Sequence, residues 1–226
     1  MKNTIMQSAE KLQSHASFGS LAYVIVEGLR ETKKAATRRA LASAVVNLAV
    51  RDGLERVTAE AIAAEANVSV RTYHNYFASK DDALQFYVAE LMEDLLGHLR
   101  AAGPEKPFNT AMWDALIELC CDSAGEPTTG TLLLRLVDTE PRVKSASSSA
   151  RLDECKVEFE RYFADRMPGA DPLYCWLVLS SGVSAVRMAV ELWAEAGTGS
   201  RTLRQTIEFC LAQLDAGLGT PLRGAD

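Results

Sequence analysis

Apolar residues recur every three or four positions along most of this chain, a spacing typical of amphipathic helices. Between residues 33 and 51 the repeat includes Leu41, Val45 and Leu48, and Asp52-Gly53 marks its end. Similar stripes predict further helices at 80–102, 110–124, 131–137, 151–167, 172–193 and 201–218. We find no alternating strand pattern and no internal repeat in the sequence. The pattern predicts an all-α fold.

Two short helices are predicted between the first and the second of these longer segments. Thr58 is a suitable N-cap for the alanine-rich stretch 59–66, and Ser69 is a suitable N-cap for residues 70–76. Asn67 lies between them, where a tight turn needs a left-handed residue; asparagine is the most tolerant choice after glycine. Two helices joined by so short a turn predict a helix-turn-helix.

The second short helix has two faces of different character. Tyr73 and Phe77 are four residues apart, so both can pack on a core. Arg71, Thr72 and Asn75 point away from that side, with His74 and Tyr76 on the flanks. Because these side chains bond base edges and phosphates, residues 70–76 are the predicted recognition helix.

The stretch from about residue 30 to about residue 84 resembles the tetracycline-repressor (TetR-type) family of transcriptional regulators. The resemblance rests on the cap at Thr58, on Ala-Asn-Val-Ser at 66–69, on Thr-Tyr-His-Asn-Tyr-Phe at 72–77 and on Ser-Lys-Asp-Asp at 79–82. The sequence departs from the family at three positions: Asn67 replaces a common glycine, Ala78 a common proline and Val70 a frequent polar residue.

The resemblance implies three segments in an all-α protein. Residues 1–29 would be an N-terminal extension and residues 30–80 a three-helix, helix-turn-helix DNA-binding domain. Residues 81–226 would be a helical domain for effector binding and dimerisation. The implied function is a ligand-responsive regulator, by the family's commoner mode a repressor, that binds a palindromic operator as a homodimer and leaves it when a small hydrophobic effector binds. The alternative is an all-helical enzyme or small-molecule-binding protein with no DNA role.

The expected DNA contacts follow from the matched positions and their chemistry. Arg71 suits guanine, and Thr72 and His74 suit base edges or phosphate. Phosphate contacts are expected of Thr58, Ser69, Tyr76 and Lys80. Val70 could touch a thymine methyl. Tyr76 could equally be a packing residue, and His74 could be an ordinary solvated histidine.

The charge distribution supports a DNA-binding N-terminal part in an acidic chain. The whole sequence has a net charge of −6, but residues 28–80 carry nine basic and five acidic groups, and residues 81–226 carry 13 basic and 23 acidic groups. A basic part on an acidic body presents one face to a polyanion. Lys33, Lys34 and Arg38 could form an arm to the backbone or minor groove. Without the adjacent motif, they would be interpreted as a solvated helix start.

The C-terminal part supplies two further expectations. Residues 171–218 are predicted to form the homodimer interface, because small residues and the 203-207-210-214 stripe favour helix–helix packing; the alternative is that both helices only complete the monomer core. The effector pocket implied by the resemblance would be lined by apolar residues, each of which could instead be ordinary core: Trp113, Leu116, Leu133, Phe159, Phe163 and Trp176.

Composition excludes several other classes. The sequence shows no catalytic constellation, no metal-ligand spacing and no phosphate loop, so we expect no enzyme activity, no metal and no cofactor. Five scattered cysteines favour a reducing cytoplasm. Without an uninterrupted apolar run of about 20 residues, no membrane-spanning helix is expected. The segment 1–29 remains open between a loosely ordered leader and an element that packs on the DNA-binding part or reaches DNA.

Overall fold

The computed structural model describes residues 29–139, 150–196 and 201–217, and these form nine α-helices, one 3₁₀ turn and no β-strand. The predicted all-α fold is therefore confirmed, whereas all of the predicted extension except residue 29 lies outside the described residues. The helices are α1 (29–52), α2 (Ala59–Glu65), α3 (Val70–Tyr76), α4 (Lys80–Ala101), α5 (Phe108–Cys120), α6 (Thr129–Thr139), α7 (Ala150–Arg166), α8 (Pro172–Ala196) and α9 (Leu203–Asp215), with the 3₁₀ turn at Leu54–Arg56.

Helices α1 to α3, which we call the head, share one apolar core. Leu41, Val45 and Leu48 of α1 are buried there, as the sequence pattern predicts. The core also receives Ile62 from α2 and Phe77 from the end of α3. The head is thus held by tertiary packing, which helices as short as α2 and α3 need in order to persist in water.

Helix α4 contributes to two cores. Its first two turns bury Leu84 and Phe86 in the head core, while Leu95 and Leu99 are buried among the later helices. The predicted boundary between residues 80 and 81 coincides with the start of α4, whose side chains belong to both parts. Helix α4 therefore packs against the head and against the later helices at once.

The second core lies among the C-terminal half of α4 and helices α5, α7, α8 and α9, which together we call the body. Phe159 and Phe163 contribute fully buried rings to this core. The small residues of α8 have two uses there. Gly182 faces inward against Trp113 and Leu116 of α5, whereas Ser180 and Ser184 face outward. Close approach of α8 and α5 thus depends on the inward-facing glycine.

The predicted helix ends need correction in the middle of the chain. The helix expected at 110–124 begins at Phe108 and ends at Cys120, because Cys121 forms an isolated antiparallel bridge with Pro127. The helix expected at 131–137 is longer, Thr129–Thr139, and that expected at 201–218 is Leu203–Asp215. Its start is fixed by a capping box between Thr202 and Gln205 that the sequence contains and that our interpretation missed.

Helix α8 is unusually apolar for a helix that is largely exposed. Within the described residues, Pro172–Glu195 is long and apolar enough to span a membrane by length and composition alone, with a mean hydropathy of 1.5 and only 33% of that window buried. Arg187 interrupts the apolar run, and a buried core helix can pass the same test, so this finding does not contradict the expectation of no membrane-spanning helix. Five of its large apolar side chains are exposed: Leu173, Tyr174, Leu177, Met188 and Leu192.

Candidate nucleic-acid interface

The turn between α2 and α3 has the local structure that its sequence predicts. The Thr58 hydroxyl accepts the amide of Ala61 at 3.2 Å, and the Ser69 hydroxyl accepts the amide of Thr72 at 3.0 Å. Asn67 has a φ of 52°, and the chain reverses there. Each short helix is therefore started by a side-chain cap, and the left-handed residue between them fixes their angle.

Helix α3 is attached to the head by the two aromatic residues predicted for that role. Tyr73 and Phe77 are only 2% and 1% exposed, and their ring centroids lie 6.3 Å apart. Phe77 also meets the edge of Phe86 on α4, with a centroid distance of 5.5 Å. Burial, with smaller contributions from Asp82 and Asp81, raises the pKa of Tyr73, so its hydroxyl stays neutral. One face of α3 is thus fixed to the core.

The opposite face of α3 is exposed and polar. Arg71, His74 and Asn75 are all exposed on it. Thr72 is half-buried, and its hydroxyl lies 2.8 Å from that of Ser69. This face presents a guanidinium, an imidazole, an amide and hydroxyls within two helical turns, which are the groups that read base edges and bind phosphate.

Two of the residues predicted to contact DNA are partly buried in the head. Val70 and Tyr76 are half-buried and pack against the head core. Of the two interpretations of Tyr76, packing is therefore observed. Only the exposed part of its side chain is available to contact a phosphate. Asn75 is exposed on the outer face, as the sequence pattern predicts, although no individual DNA contact was assigned to it.

Lys80 has internal partners that its sequence position does not reveal. Its ammonium nitrogen lies 2.7 Å from the carbonyl oxygen of Leu54, with the carbonyls of Val57 and Glu55 at 3.4 and 3.5 Å. An ammonium has three donors, so these carbonyls can occupy all of them. Lys80 therefore ties the start of α4 to the 3₁₀ turn, and the expected phosphate contact would compete with that role.

The basic residues expected to form an arm all lie within helix α1. Lys33 and Lys34 are exposed, and Lys34 has a loose ion pair with Glu31 at 3.8 Å. Arg38 places its guanidinium 4.3 Å from the centre of the Phe86 ring. Arg39 pairs with Glu90 at 2.6 Å. Only the two lysines retain the freedom that an arm requires, and their side chains extend from a helix.

The six residues expected to line an effector pocket belong to packed cores. Leu133 lies in the head core, not in the body. Trp113 is 8% exposed and donates its indole N–H to Asp215 at 2.8 Å, which closes α9 onto α5. The Phe159 ring lies tilted against Trp176 and the Phe163 ring meets it edge to face, at centroid distances of 6.1 and 5.3 Å. In this packing the six residues do not border one common open space, and their role as effector contacts stays a prediction.

The open spaces of the body lie beside that core. A cleft of about 250 Å³ between α4 and α7 has an apolar floor that includes Met92, Leu96 and Phe159, and charged walls that include Arg100 and Arg151. A larger groove of about 540 Å³ runs between the outer sides of α8 and α9. Of the six expected lining residues, Phe159 alone borders either space.

Metal and thiol chemistry find little support in the described part of the chain. No group of three or more histidine, cysteine or acidic side chains is placed to hold a metal there. All five cysteines are free thiols. Burial raises the pKa of Cys120 to about 12 and that of Cys121 to about 11, which keeps both protonated and unreactive.

Comparison with known proteins identifies the head and the fold. Residues 41–85 match the family model described as bacterial regulatory proteins, tetR family. A transcriptional regulator from Rhodococcus sp. Rha1 superposes with a TM-score of 0.51 at 16% identity, over 80% of this chain and 96% of that one. The fatty acid degradation regulator FadR from Bacillus halodurans gives a TM-score of 0.50 at 16% identity, over 78% and 93%.

A third structure, from Rhodococcus sp. and assigned to the TetR-family transcriptional regulators, gives a TM-score of 0.53 at 12% identity, over 80% of this chain and 97% of that one. No curated protein matches the chain in sequence. The structural matches establish the fold, and the family model establishes the type of its N-terminal domain. Residues 41–85 are therefore similar to the domain of the tetR-family regulatory proteins, and the described chain around them has the fold of the solved structures that it matches.

Proposed function

We propose that this protein is a ligand-responsive repressor that binds a palindromic operator as a homodimer and leaves it when a small hydrophobic effector binds. The observation that carries the proposal is the division of α3 into a buried aromatic face and an exposed polar face. A helix of seven residues anchored in this way can enter a major groove without losing its packing. Such a regulator acts on the chromosome, so we assign it to the cytoplasm.

Within this proposal, Arg71 reads a guanine through its forked N–H groups. His74 and Thr72 contact base edges or phosphate, and Val70 offers its exposed edge to a thymine methyl. The phosphate contacts fall to the hydroxyls of Thr58, Ser69 and Tyr76 and to the ammoniums of Lys33 and Lys34. Lys80 would join them only by giving up a backbone carbonyl that it now contacts. The cap hydroxyls accept backbone amides in the structure, and each can still donate to a phosphate oxygen.

The test begins with duplexes that the wild-type protein selects from a random library, and compares Arg71→Ala with wild type on them. We expect the variant to lose preference at one base-pair position per half-site, at a cost of about 1–3 kcal/mol. Arg161→Ala is the matched control, since Arg161 is an exposed arginine on α7 that pairs with Glu158. Unchanged specificity in Arg71→Ala would contradict the base-reading role, and a wild-type protein that selects no duplex would contradict the function.

Dimerisation is proposed through α8 and α9, within residues 171–218. Leu173 and Leu177 are 71% and 62% exposed on the outer face of α8, and Met188 and Leu192 continue the same stripe. The groove beside it is lined by Phe209 and Leu214 of α9, among others. A two-fold pair formed here would present two copies of α3 to half-sites about 34–36 Å apart.

The effector is proposed to act on the body and not on the head. The cleft between α4 and α7, at about 250 Å³, is smaller than the usual range of about 300–1,000 Å³ for small-molecule sites, so an occupant must be small or must displace side chains. Because α4 is shared by both cores, a change in its position reaches α3. Coupling of this kind is typically worth about 1–3 kcal/mol.

A further inference from the structure

The carboxylate of Glu90 on α4 is held by two arginines from opposite parts of the molecule. Arg39 of the head lies 2.6 Å from one oxygen, and Arg151 of α7 lies 2.5 Å from the other. The Glu90 side chain is only 14% exposed. Burial alone would raise its pKa, but hydrogen bonds from Arg151 and Arg39 outweigh that effect and lower the pKa below its ordinary value. The carboxylate is therefore ionised at neutral pH and joins α1 to α7.

A second path starts from the same arginine. The Arg151 guanidinium lies 4.4 Å from the centre of the Phe86 ring, and that of Arg38 lies 4.3 Å from it. Phe86 in turn contacts Phe77, whose backbone amide closes the last turn of α3 by donating to Tyr73. Phe86 thus connects α7 to the end of the recognition helix through side chains alone.

We propose that Arg151, Glu90 and Phe86 are positioning residues through which α7 fixes the recognition helix. Phe86 touches one expected arm residue, Arg38, and none of the three contacts a residue expected to read bases, so they would act through Arg39, Arg38 and Phe77. The inference deepens the proposed function, because it names how an event in the body reaches the head. It rests on that function only for its DNA measurement.

The position of Arg151 explains why the body would use this path. Arg151 forms part of the wall of the cleft between α4 and α7, and it also pairs with Glu93 at 2.9 Å. Paired guanidinium and carboxylate groups lose their hydrogen bonds when their separation grows by about an ångström. Any occupant that separates α7 from α4 would therefore release Glu90 and Phe86 together.

A neighbouring ion pair provides a matched control. Arg100 of α4 pairs with Glu158 of α7 at 2.8 Å, so it joins the same two helices and borders the same cleft. None of its contacts in the described residues reaches the head. Loss of this pair would loosen α7 as loss of Arg151 does, but without breaking the path to α3.

The experiment compares Arg151→Gln and Arg100→Gln in the full-length protein. The first measurement needs no DNA: hydrogen exchange of the amides from Tyr73 to Phe77, which we expect to become faster in Arg151→Gln and to stay at the wild-type rate in Arg100→Gln. The second measurement is affinity for the duplex selected by wild type. We expect Arg151→Gln to weaken it by about five-fold or more, and Arg100→Gln to leave it unchanged.

Should Arg151→Gln fail to fold, Arg39→Gln tests the path from the head, where the arginine is more than half exposed. If both variants fold, the double variant should lose less than the sum of the two, because both arginines hold one carboxylate. Equal exchange and equal affinity in Arg151→Gln and Arg100→Gln would overturn the inference. If the wild type selects no duplex, the proposed function fails, while the exchange measurement still decides the inference.

Discussion

At the scale of single residues, the head depends on one asparagine in an uncommon conformation. Asn67 is the only non-glycine residue in the described ranges with positive φ. Its conformation lets the amide of Val68 reach back to the carbonyl of Ala63 at 2.9 Å, which closes the end of α2. An L-residue with a Cβ is strained at this φ. The strain is smaller for asparagine than for most residues, because its side-chain amide can form local hydrogen bonds. The angle between α2 and α3 therefore depends on which residue occupies position 67.

Two substitutions at this position separate conformation from contacts. Asn67→Gly should leave the thermal unfolding midpoint close to that of wild type, because glycine adopts positive φ at little cost. Asn67→Ala should destabilise the protein by about 1–2 kcal/mol, since alanine cannot relieve the left-handed strain. Unfolding followed by circular dichroism measures both. If alanine were tolerated as well as glycine, the strain at this turn would not determine its stability.

At the scale of helices, two glycines show that packing, and not helix propensity, decides whether replacement by alanine stabilises or destabilises the protein. A Cβ on Gly182 would overlap the ring of Trp113 and come within 2.7 Å of Leu116 Cδ1. A Cβ on Gly97, in the exposed face of α4, would meet nothing within 4 Å. Both glycines lie inside helices, so intrinsic propensity favours alanine equally at each.

We therefore expect opposite signs from the same change. Gly182→Ala should destabilise the protein by about 1–3 kcal/mol, because α8 must move away from α5. Gly97→Ala should stabilise it by about 0.5–1 kcal/mol through helix propensity alone. Urea denaturation of both variants measures the difference. Two variants with the same sign would show that α8 does not pack on α5 as closely as described.

The same helices show which features could be predicted from the sequence. The caps at Thr58 and Ser69 and the left-handed Asn67 were predicted and are confirmed, because each depends on residues a few positions away. The predicted end of α5 was wrong, because the bridge between Cys121 and Pro127 ends the helix. The sequence has no helix-stop residue at that point.

Long-range partners account for the remaining differences. Lys80 donates to carbonyls at least 23 residues away, and Leu133 packs in the head although it lies in α6. Arg151 and Glu90 meet across 61 residues. A hydrophobic stripe gives the buried side of a helix but not its neighbour, so the pattern could predict these residues as buried or charged without predicting what they contact.

At the scale of the whole molecule, the exposed apolar side of α8 is the feature that a single chain does not explain. A contiguous apolar patch on a protein surface marks an interaction site. The inner side of α8 is fully used by its own core, where Val186 and Ala189 are 0% exposed. The outer stripe with Leu173 and Leu177 therefore takes no part in the core of the single chain, which supports the proposed homodimer.

If the proposed homodimer forms through α8, Leu177→Glu should convert it into a monomer. In the two-fold interface, a glutamate at this position would be buried without a partner in each subunit. Burying an unpaired polar group costs on the order of 2–7 kcal/mol. Light scattering after size-exclusion chromatography measures the mass. Val157→Glu is the matched control, because Val157 is 46% exposed on α7 and lies outside residues 171–218. We expect that variant to keep the wild-type mass.

The DNA-binding consequence follows from linking two recognition helices. A dimer engages the second half-site as an intramolecular event, so loss of the interface should lower affinity for a two-half-site duplex by about 10²-fold or more. Affinity for a single half-site should be the same in Leu177→Glu and wild type, because α3 is untouched. A Leu177→Glu protein that remains dimeric would place the interface elsewhere. A monomer that still binds the full duplex as tightly as wild type would show that the two heads act independently.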